Sequence, residues 1–134
     1  MLKALALKSI RSSAILKYVC VCYHYIVGKQ RLKASDVYDI LCRIPEGKVT
    51  TYGDIAKALG SPRASRAIGR ILNMNPNPII VPCHRVVMST GQIGGYALGR
   101  AIKKKLLAKE GVFFRSDGVI EYFERCRIDI KILN

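Results

Sequence analysis

The apolar residues after position 34 recur at the spacing of amphipathic helices. In the first such segment they stand at i, i+3, i+4 and i+7, as Val37, Ile40, Leu41 and Ile44. Ser35 is a suitable N-cap, and Pro45 would stop the helix because it has no backbone N–H to donate. The pattern predicts a core-facing helix over about residues 35–44.

A second apolar segment consists of Ile55, Ala56 and Leu59. Thr51 and Asp54 precede it in the spacing of a capping box, and Gly60 predicts its end. A third helix is then predicted with Ser61 as its N-cap and Pro62 at its first position. Two short helices joined by such a turn indicate a helix-turn-helix.

The predicted third helix has two unlike faces when its residues are placed at 100° intervals. The apolar face consists of Ala64, Ala67, Ile68, Ile71 and Leu72. The opposite face consists of Arg63, Arg66, Arg70 and Asn73. A helix that is merely solvated normally mixes both charge signs, because i, i+4 pairs then form, whereas this face has no acidic residue. The basic face therefore favours contact with DNA.

Turns and short elements alternate beyond the third helix. The turn at 75–78 cannot be helical, because each proline pushes the preceding residue out of the helical region, and residues 79–81 are predicted as a short buried strand. A glycine-rich loop at 91–95 leads into a last helix that ends at Gly111, and residues 112–122 are predicted as a hairpin. In the last helix the predicted inward residues are Leu98, Ala101, Ile102 and Leu106, and the predicted outward ones are Lys103, Lys104 and Lys109.

The N-terminal segment, residues 1–34, has a different character. Residues 14–27 are rich in Val, Ile, Tyr and Cys, which favours a strand. Cys20, Cys22 and His24 would share one strand face, but a structural zinc needs four ligands, so buried small cysteines are the preferred interpretation and no metal is expected. Basic residues interrupt the early apolar runs, and the longest uncharged run is shorter than the roughly 20 residues that span a bilayer. We expect neither a targeting segment nor a membrane span.

Length, net charge and cysteine content limit the number of domains, the kinds of partner and the cellular setting that we expect. A chain of 134 residues fits one domain with a modest core, so a two-domain enzyme is not expected. A net charge of +14 attracts polyanions, with nucleic acid as the first candidate and anionic lipid as the alternative. The five cysteines form no C-x-x-C pair and are odd in number, which favours a reducing, intracellular setting in the cytoplasm or nucleoid.

A candidate nucleophile, Cys83, lies directly after the predicted strand and is followed by His84. A cysteine becomes nucleophilic when a neighbouring base or cation stabilises its thiolate. Adjacency alone is weak evidence, because catalytic Cys and His usually meet in space rather than in sequence. The dipeptide by itself leaves a catalytic and a structural interpretation open.

Six short motifs, one of which contains Cys83, allow the chain to be compared with a known family. Residues 82–87 are PCHRVV, 44–56 are IPEGKVTTYGDIA, 64–69 are ASRAIG, 75–78 are NPNP, 95–99 are GYALG and 106–111 are LLAKEG. In this order, over about residues 35–118, they resemble the 6-O-alkylguanine-DNA alkyltransferases, also called methylated-DNA protein-cysteine methyltransferases. The resemblance implies an α+β fold, with a mainly helical DNA-binding and active-site domain over residues 35–134. That domain would contain a winged helix-turn-helix, and the short, partly β segment 1–34 would precede it.

The same resemblance implies direct-reversal DNA repair. An alkyl group would move irreversibly from the guanine 6-oxygen to Cys83, once per molecule and without a cofactor. His84 would withdraw the thiol proton through a water, and Glu110 would orient and charge that histidine, in the logic of a hydrolase triad that ends in a stable thioether. Asn75 would be the hinge between the DNA-binding motif and the active site.

The partner implied is double-stranded DNA containing alkylated guanine, bound through its minor groove. The residues implied in DNA contact are Tyr52, Arg63, Ala64, Ser65, Arg66, Arg70 and Asn73. The residues implied to form the guanine pocket are Tyr52, Val86, Gly94, Gly95, Tyr96, Ala97 and Gly99. Arg66 would fill the gap left by the flipped base, and Tyr52 would turn the 3′ phosphate and donate toward the guanine ring. Backbone carbonyls of Cys83 and Val86 would accept from the guanine amine.

The sequence departs from the family pattern in two respects. Ala97 stands where the family often has a serine, so only backbone donors to the guanine oxygen would remain there, and the segment before residue 35 is shorter than the usual N-terminal domain. The alternative functions are a non-catalytic, alkyltransferase-like lesion-binding protein and a helix-turn-helix regulator, which would bind a specific sequence in the major groove. A thiol hydrolase is a more distant alternative. We expect a monomer.

Overall fold

The computed structural model describes residues 26–27 and 32–133, in which short helices alternate with two-residue strands. The helices are α1 (Ala34–Arg43), α2 (Tyr52–Ala58), α3 (Ser65–Asn73), α4 (Arg100–Lys109) and α5 (Phe123–Cys126), and 3-10 turns cover Cys83–Arg85 and Ile130–Leu133. The strands are β1 (Ile26–Val27), β2 (Leu32–Lys33), β3 (Thr50–Thr51) and β4 (Val86–Val87). The expected mixture of helix and sheet is confirmed at this level.

The strands form two small sheets. β1 and β2 are antiparallel, with Ile26 opposite Lys33. β3 and β4 are parallel, with Thr50 opposite Val86. Since α2 begins directly after β3, and β4 follows directly after the Cys83–Arg85 turn, this parallel pair places the start of α2 beside the candidate nucleophile.

Some predictions cannot be compared with the structure. The predicted strand at 14–27 lies outside the described residues except for its last two positions, which form β1. Cys20, Cys22 and His24 lie outside them as well. Within the described ranges there is no cluster of three or more His, Cys, Asp or Glu side chains able to hold a metal ion. None of the helices described is long and apolar enough to cross a bilayer.

Helix α1 packs its predicted apolar side into the core, with Val37, Leu41 and Ile44 buried. The hydroxyl of Tyr38 donates to the carbonyl of Ile71 over 3.0 Å, which joins α1 to α3. The expected start of α1 was wrong. The helix begins one residue earlier, at Ala34, directly after β2, and the N-cap residue Lys33 makes no side-chain cap hydrogen bond because its ammonium group has no acceptor.

Helix α2 begins and ends as predicted. Thr51 is its N-cap, and the Thr51 hydroxyl accepts from the backbone N–H of Asp54 over 3.1 Å. Gly60 ends the helix with φ +72°, a conformation that glycine adopts without steric cost. Arg127 binds both carboxylate oxygens of Asp54 at 2.9 and 2.8 Å, so the C-terminal segment is attached to the start of α2.

The predicted start of α3 was wrong. Residues 61–64 form a turn, closed by a 2.9 Å hydrogen bond from the N–H of Ala64 to the carbonyl of Ser61, and the helix begins at Ser65. Ser61 belongs to the end of α2 instead, because its N–H donates back to the carbonyl of Ala56. The two faces of α3 are confirmed. Ile68, Ile71 and Leu72 are buried, and Arg63, Arg66, Arg70 and Asn73 are exposed.

The predicted buried strand at 79–81 was also wrong. Ile79 and Ile80 are 53% and 60% exposed, and only Val81 is buried. The chain turns here, because the N–H of Val81 donates to the carbonyl of Asn77, and Ile79 adopts φ +84°. Apolar composition predicted burial, whereas the proline turn before it directs two of the three side chains outward.

Helix α4 is rotated relative to the prediction. Its fully buried residues are Lys103 and Leu107, and Leu98, Ala101 and Ile102 are exposed. Lys103 was expected outside, but its ammonium group finds two backbone carbonyls in the interior, described below. Lys104 and Lys109 are exposed, as predicted.

The hairpin predicted around residues 112–122 is confirmed at its centre. Phe114 and Ile120 form an antiparallel bridge, and Gly118 closes the turn with φ +82°. A second antiparallel bridge, between Gln92 and Val119, attaches the hairpin to the glycine-rich loop.

The burial of the apolar residues predicts a contrast between two substitutions. Leu41→Ala should lower the free energy of unfolding by about 2–5 kcal/mol, because it opens a cavity in the core. Ile80→Ala should lower it by no more than about 0.5 kcal/mol, because the side chain is already largely in water. Urea unfolding followed by circular dichroism measures both. Equal losses would show that the Ile80 side chain is buried after all.

Candidate active site

The candidate nucleophile Cys83 opens the Cys83–Arg85 turn and is buried. The side-chain amide of Asn75, at the end of α3, donates to the Cys83 sulfur over 3.3 Å and to the carbonyl of Val81 over 3.2 Å. The Asn75 carbonyl oxygen accepts from the N–H of Asn77 over 3.0 Å. Asn75 therefore connects the end of the basic helix to the cysteine, in the position expected of a hinge.

His84 is buried next to the cysteine and binds Glu110, the C-cap residue of α4. Its Nε2 lies 2.8 Å from the Glu110 Oε1. Burial alone would raise the pKa of Glu110, but hydrogen bonds from Arg85 and His84 lower it below its usual value. An ionised carboxylate accepts only, so Nε2 carries the imidazole proton.

The other imidazole nitrogen of His84 is consequently the basic one. Its Nδ1 is buried and has no hydrogen-bond partner among the described residues. Burial lowers the pKa of His84 although Glu110 opposes the shift, so the imidazole is neutral at neutral pH. A neutral histidine with a free Nδ1 lone pair can accept a proton from the neighbouring thiol.

Burial shifts the pKa of Cys83 in the opposite direction to that of His84. It raises the pKa of the Cys83 thiol, and the Asn75 hydrogen bond and the charge of Lys103 only partly offset this effect. The resting pair is therefore a neutral thiol beside a neutral imidazole. A nucleophilic thiolate forms only when a proton moves to a base, which is the arrangement of general-base catalysis.

Two residues of the site were not assigned a role from the sequence. Arg85 donates to both carboxylate oxygens of Glu110, at 2.9 and 2.7 Å, and to the carbonyl of Ile44. Lys103 donates to the carbonyls of Val86 and Gly95, at 2.6 and 2.9 Å. A signal for Lys103 was present, because three consecutive lysines on a helix span about 200° and cannot all point outward from one face.

A pocket of about 500 Å³ opens beside Cys83, between α3 and the loop that leads to α4. It brings together most of the residues predicted for DNA contact and substrate binding: Tyr52, Ser65, Arg66, Arg70, Asn73, Cys83, Gly95, Tyr96 and Ala97. Arg63, Ala64, Val86, Gly94 and Gly99 do not line it. The carbonyl of Val86, expected to accept from guanine, already accepts from Lys103.

Two tyrosines line this pocket together with the cysteine. Burial and the neighbouring Cys83 raise the pKa of Tyr52, and they raise the pKa of Tyr96 to about 12. Both hydroxyls are therefore protonated at neutral pH and available as donors. The buried hydroxyl of Tyr96 has no partner within the described part of the chain. Gly94 lies beside Tyr52 with φ +71°, a conformation that favours glycine, and a β-carbon there would approach the Met88 side chain to 3.3 Å.

Comparison with known proteins places this site in a family. The family model described as 6-O-methylguanine DNA methyltransferase, DNA binding domain, matches residues 33–112, which is more than half of the chain. The chain therefore belongs to the 6-O-methylguanine DNA methyltransferase family.

The chain is similar to named proteins and to proteins whose structures have been solved. A methylated-DNA–protein-cysteine methyltransferase of Methanosarcina acetivorans is 53% identical over 77 residues, which cover 58% of this chain and 49% of the relative. The crystal structure of Mycobacterium tuberculosis OGT in complex with DNA is 42% identical, with a TM-score of 0.57 over 58% of this chain and 48% of that one. The chain thus spans about half the length of these two proteins. The S. pombe ATL in complex with DNA is 34% identical, with a TM-score of 0.60 over 71% of this chain and 93% of that one.

The hydrogen bond between His84 and Glu110 predicts the tautomer and the titration of the histidine. At pH 7 we expect neutral His84 with its proton on Nε2, and a titration midpoint below the usual 6.5 because burial lowers the pKa. Glu110→Gln should lower the midpoint further, since Glu110 raises this pKa. ¹⁵N NMR of the imidazole nitrogens measures both, and His84→Asn assigns the signals. A midpoint above 6.5, or a proton on Nδ1, would contradict this account.

Proposed function

We propose that this chain repairs alkylated DNA by transferring an alkyl group from the 6-oxygen of guanine to the sulfur of Cys83, irreversibly and once per molecule. The observation that carries the proposal is the hydrogen bond from His84 Nε2 to Glu110, which leaves the unpaired Nδ1 of the histidine that follows Cys83 as the base. The cysteine borders a pocket whose rim is the basic face of α3. Membership of the 6-O-methylguanine DNA methyltransferase family supports the same reaction.

The proposed reaction is a nucleophilic displacement at the alkyl carbon. The thiol proton of Cys83 passes to the Nδ1 of His84, directly or through a water, and Glu110 stabilises the resulting imidazolium. The sulfur–carbon bond then forms as the bond between the carbon and the guanine oxygen breaks. Guanine leaves with the electron pair and takes up one proton, so the products are a thioether and an unmodified guanine. The step needs no cofactor.

The proposed DNA substrate must expose a base that is normally stacked. The guanine oxygen lies inside the duplex, so the nucleotide has to leave the stack before it can reach Cys83. Arg66 is exposed on α3 and also lines the pocket, which suits a side chain that enters the duplex and fills the gap. The protonated hydroxyl of Tyr52 would donate toward the guanine ring from the pocket wall.

The helix-turn-helix of α2 and α3 is proposed to take the winged form and to bind the minor groove. The hairpin at Phe114 and Ile120, which is bridged to the glycine-rich loop through Gln92 and Val119, is the proposed wing. Small Ala64 and Ser65 at the start of α3 would allow a close approach to the groove floor. Because the substrate is DNA, the proposed site of action is intracellular, in the cytoplasm or the nucleoid.

The proposal predicts a stoichiometric change in mass. Incubation with duplex DNA containing O6-methylguanine should add the mass of one methyl group to the intact chain, and peptide mapping should place it on Cys83. Cys83→Ser, which keeps the size of the site but lacks the thiol, should gain no mass. Intact-protein mass spectrometry with excess DNA measures the limit of one group per chain. Methylation of another cysteine, or turnover beyond one equivalent, would overturn the mechanism.

A second candidate function is lesion binding without chemistry. It is favoured by one observation, that the S. pombe ATL in complex with DNA is 34% identical to this chain and superimposes with a TM-score of 0.60. The mass experiment separates the candidates. A chain that binds methylated duplex in preference to unmodified duplex, yet gains no mass, is a lesion-binding protein.

The role of Arg66 in extruding the base predicts a substrate-dependent defect. Arg66→Ala should slow transfer from duplex DNA by on the order of tenfold or more, because unstacking costs a few kcal/mol, and should leave the reaction with free O6-methylguanine base nearly unchanged. Lys57→Ala removes the same charge from an exposed site on α2 outside the pocket and is the matched control. The ratio of duplex to free-base rates at saturating DNA is the measurement. An unchanged ratio for Arg66→Ala would exclude this role.

A further inference from the structure

The C-terminal segment, residues 125–130, lies against the chain that leads into α2. Its backbone pairs in parallel with Val49, the residue before β3. The N–H of Val49 donates to the carbonyl of Cys126, and the carbonyl of Val49 accepts from the N–H of Ile128, both over 2.9 Å. The segment is therefore held by backbone hydrogen bonds directly before β3.

Apolar side chains attach the same segment to the interior. Ile128 and Ile130 pack on the core cluster that contains the buried residues of α1, α2 and α3, and Cys126 packs on a second cluster around Leu107. Ile130 is only 4% exposed. The segment is thus a packed part of the fold, although the family model that matches this chain ends at residue 112 and assigns it no role.

The most directional contact of the segment is the ion pair of Arg127 with Asp54, in the first turn of α2. Two guanidinium nitrogens donate to separate carboxylate oxygens at 2.9 and 2.8 Å, a geometry that fixes orientation as well as distance. The side chains are 32% and 17% exposed, so water and salt screen the pair only in part. Burial alone would raise the pKa of Asp54, but hydrogen bonds from Arg127 and Thr51 lower it, so the carboxylate is ionised at neutral pH.

These contacts lie on both sides of Tyr52 along the chain, because Val49 precedes it and Asp54 follows it. The Tyr52 side chain lines the pocket beside the candidate nucleophile. A β-carbon placed on Gly69 of α3 would lie 3.9 Å from the Tyr52 ring, and one placed on Gly94 would lie 3.5 Å from its hydroxyl, so the ring lies between α3 and the glycine-rich loop. A displacement of the start of α2 would move this ring within the pocket.

The elements on either side of this position are too short to fix it by themselves. β3 has two residues and α2 has seven. Isolated helices shorter than about 12–15 residues are only marginally stable in water, so the start of α2 takes its position from tertiary contacts. The C-terminal segment supplies such contacts before and after Tyr52, in addition to the pairing of β3 with β4.

We propose that the C-terminal segment is a positioning element of the alkyl-transfer site, in which Arg127 acts through Asp54 to hold Tyr52 in the guanine pocket. The inference deepens the proposed function and rests on it. In the proposed reaction the Tyr52 hydroxyl donates toward the guanine ring, so a displaced ring slows the transfer by placing the guanine less accurately.

The thiol and its base are held by other parts of the chain. Cys83 accepts a hydrogen bond from Asn75, and His84 binds Glu110. Changes in the C-terminal segment should therefore leave the intrinsic reactivity of the thiol unaffected, which distinguishes a displaced Tyr52 from general damage to the site.

The test compares Arg127→Met with Lys131→Met, which removes the same charge from an exposed position just after the segment. At saturating duplex DNA containing O6-methylguanine, the transfer rate should fall on the order of tenfold for Arg127→Met, because small misplacements of a positioned group have effects of at least this size. Lys131→Met should keep the wild-type rate. Arg127→Lys keeps the charge but not the planar fork, so it should recover part of the rate. The rate of Cys83 alkylation by iodoacetamide should be the same in all variants.

The NMR signal of the tyrosine ring separates positioning from stability. In protein with ¹³C-labelled tyrosine, Tyr52→Phe assigns the Tyr52 signal, which should shift in Arg127→Met and stay in place in Lys131→Met. Spectra are recorded well below the unfolding transition of each variant. A purely structural segment would lower the free energy of unfolding of Arg127→Met without changing the Tyr52 signal or the transfer rate of the folded chain, and that result overturns the inference. A shifted signal with an unchanged rate overturns it as well.

The NMR measurement needs no DNA, so the two proposals can fail separately. If the Tyr52 signal shifts but the wild-type chain takes no methyl group from DNA, Arg127 still positions Tyr52 and the proposed repair reaction fails. If the wild-type chain takes the methyl group and Arg127→Met transfers it at the same rate, the repair reaction stands and the positioning role fails.

A milder variant keeps the inference falsifiable if Arg127→Met does not fold. Asp54→Asn weakens the ion pair but retains the backbone N–H that donates to the Thr51 hydroxyl at the start of α2. It should shift the Tyr52 signal and slow the transfer, both by less than Arg127→Met would. An unchanged Tyr52 signal in folded Asp54→Asn would show that the pair does not hold the ring.

Discussion

The site depends on Glu110, whose carboxylate is bound by two neighbouring residues and around which three separate parts of the chain meet. His84 and Arg85 bind it from the turn after Cys83, and Arg85 continues to the carbonyl of Ile44 at the end of α1. The backbone of Glu110 also lies against Gly47, where a β-carbon would approach its carbonyl oxygen to 3.2 Å and φ is +80°. The carboxylate can orient the histidine only because it is itself held by the arginine, whose charge keeps it ionised in a half-buried position.

The ion pair of Arg85 with Glu110 affects the protonation states of His84 and Cys83. Arg85 neutralises much of the Glu110 charge, and burial then lowers the pKa of His84 and raises that of Cys83. The result is a neutral resting pair that is stable in a buried place. A permanent thiolate and imidazolium there would cost more, because both charges would be removed from water. In the proposed reaction the charges exist only while the alkyl group is transferred, so the protein does not carry that cost in its resting state.

The sequence predicted the parts of the structure that follow from local rules, and it failed where a distant partner decides the outcome. The capping of α2 by Thr51 and the two faces of α3 depend on neighbouring residues and on helical periodicity, and both are confirmed. The predicted start of α3 was wrong because Gly60 and Ser61 bond back to Lys57 and Ala56 as the Schellman end of α2, and a separate turn at 61–64 then precedes the helix. The orientation of α4 depends on two carbonyls, of Val86 and Gly95, that are remote along the chain from a lysine assumed to be solvated. The sequence motifs predicted most of the residues that line the pocket. Helical periodicity was less successful, because it gave the wrong inward face for α4.

The product of the proposed transfer explains why the reaction would occur only once. Before transfer, the Cys83 thiol can give its proton to the unpaired Nδ1 of His84. After transfer the sulfur is a neutral thioether, which cannot regain a charge and offers no leaving group that water could displace. The base that assists the transfer therefore has no means of reversing it, because the product holds no thiol proton for that base to accept.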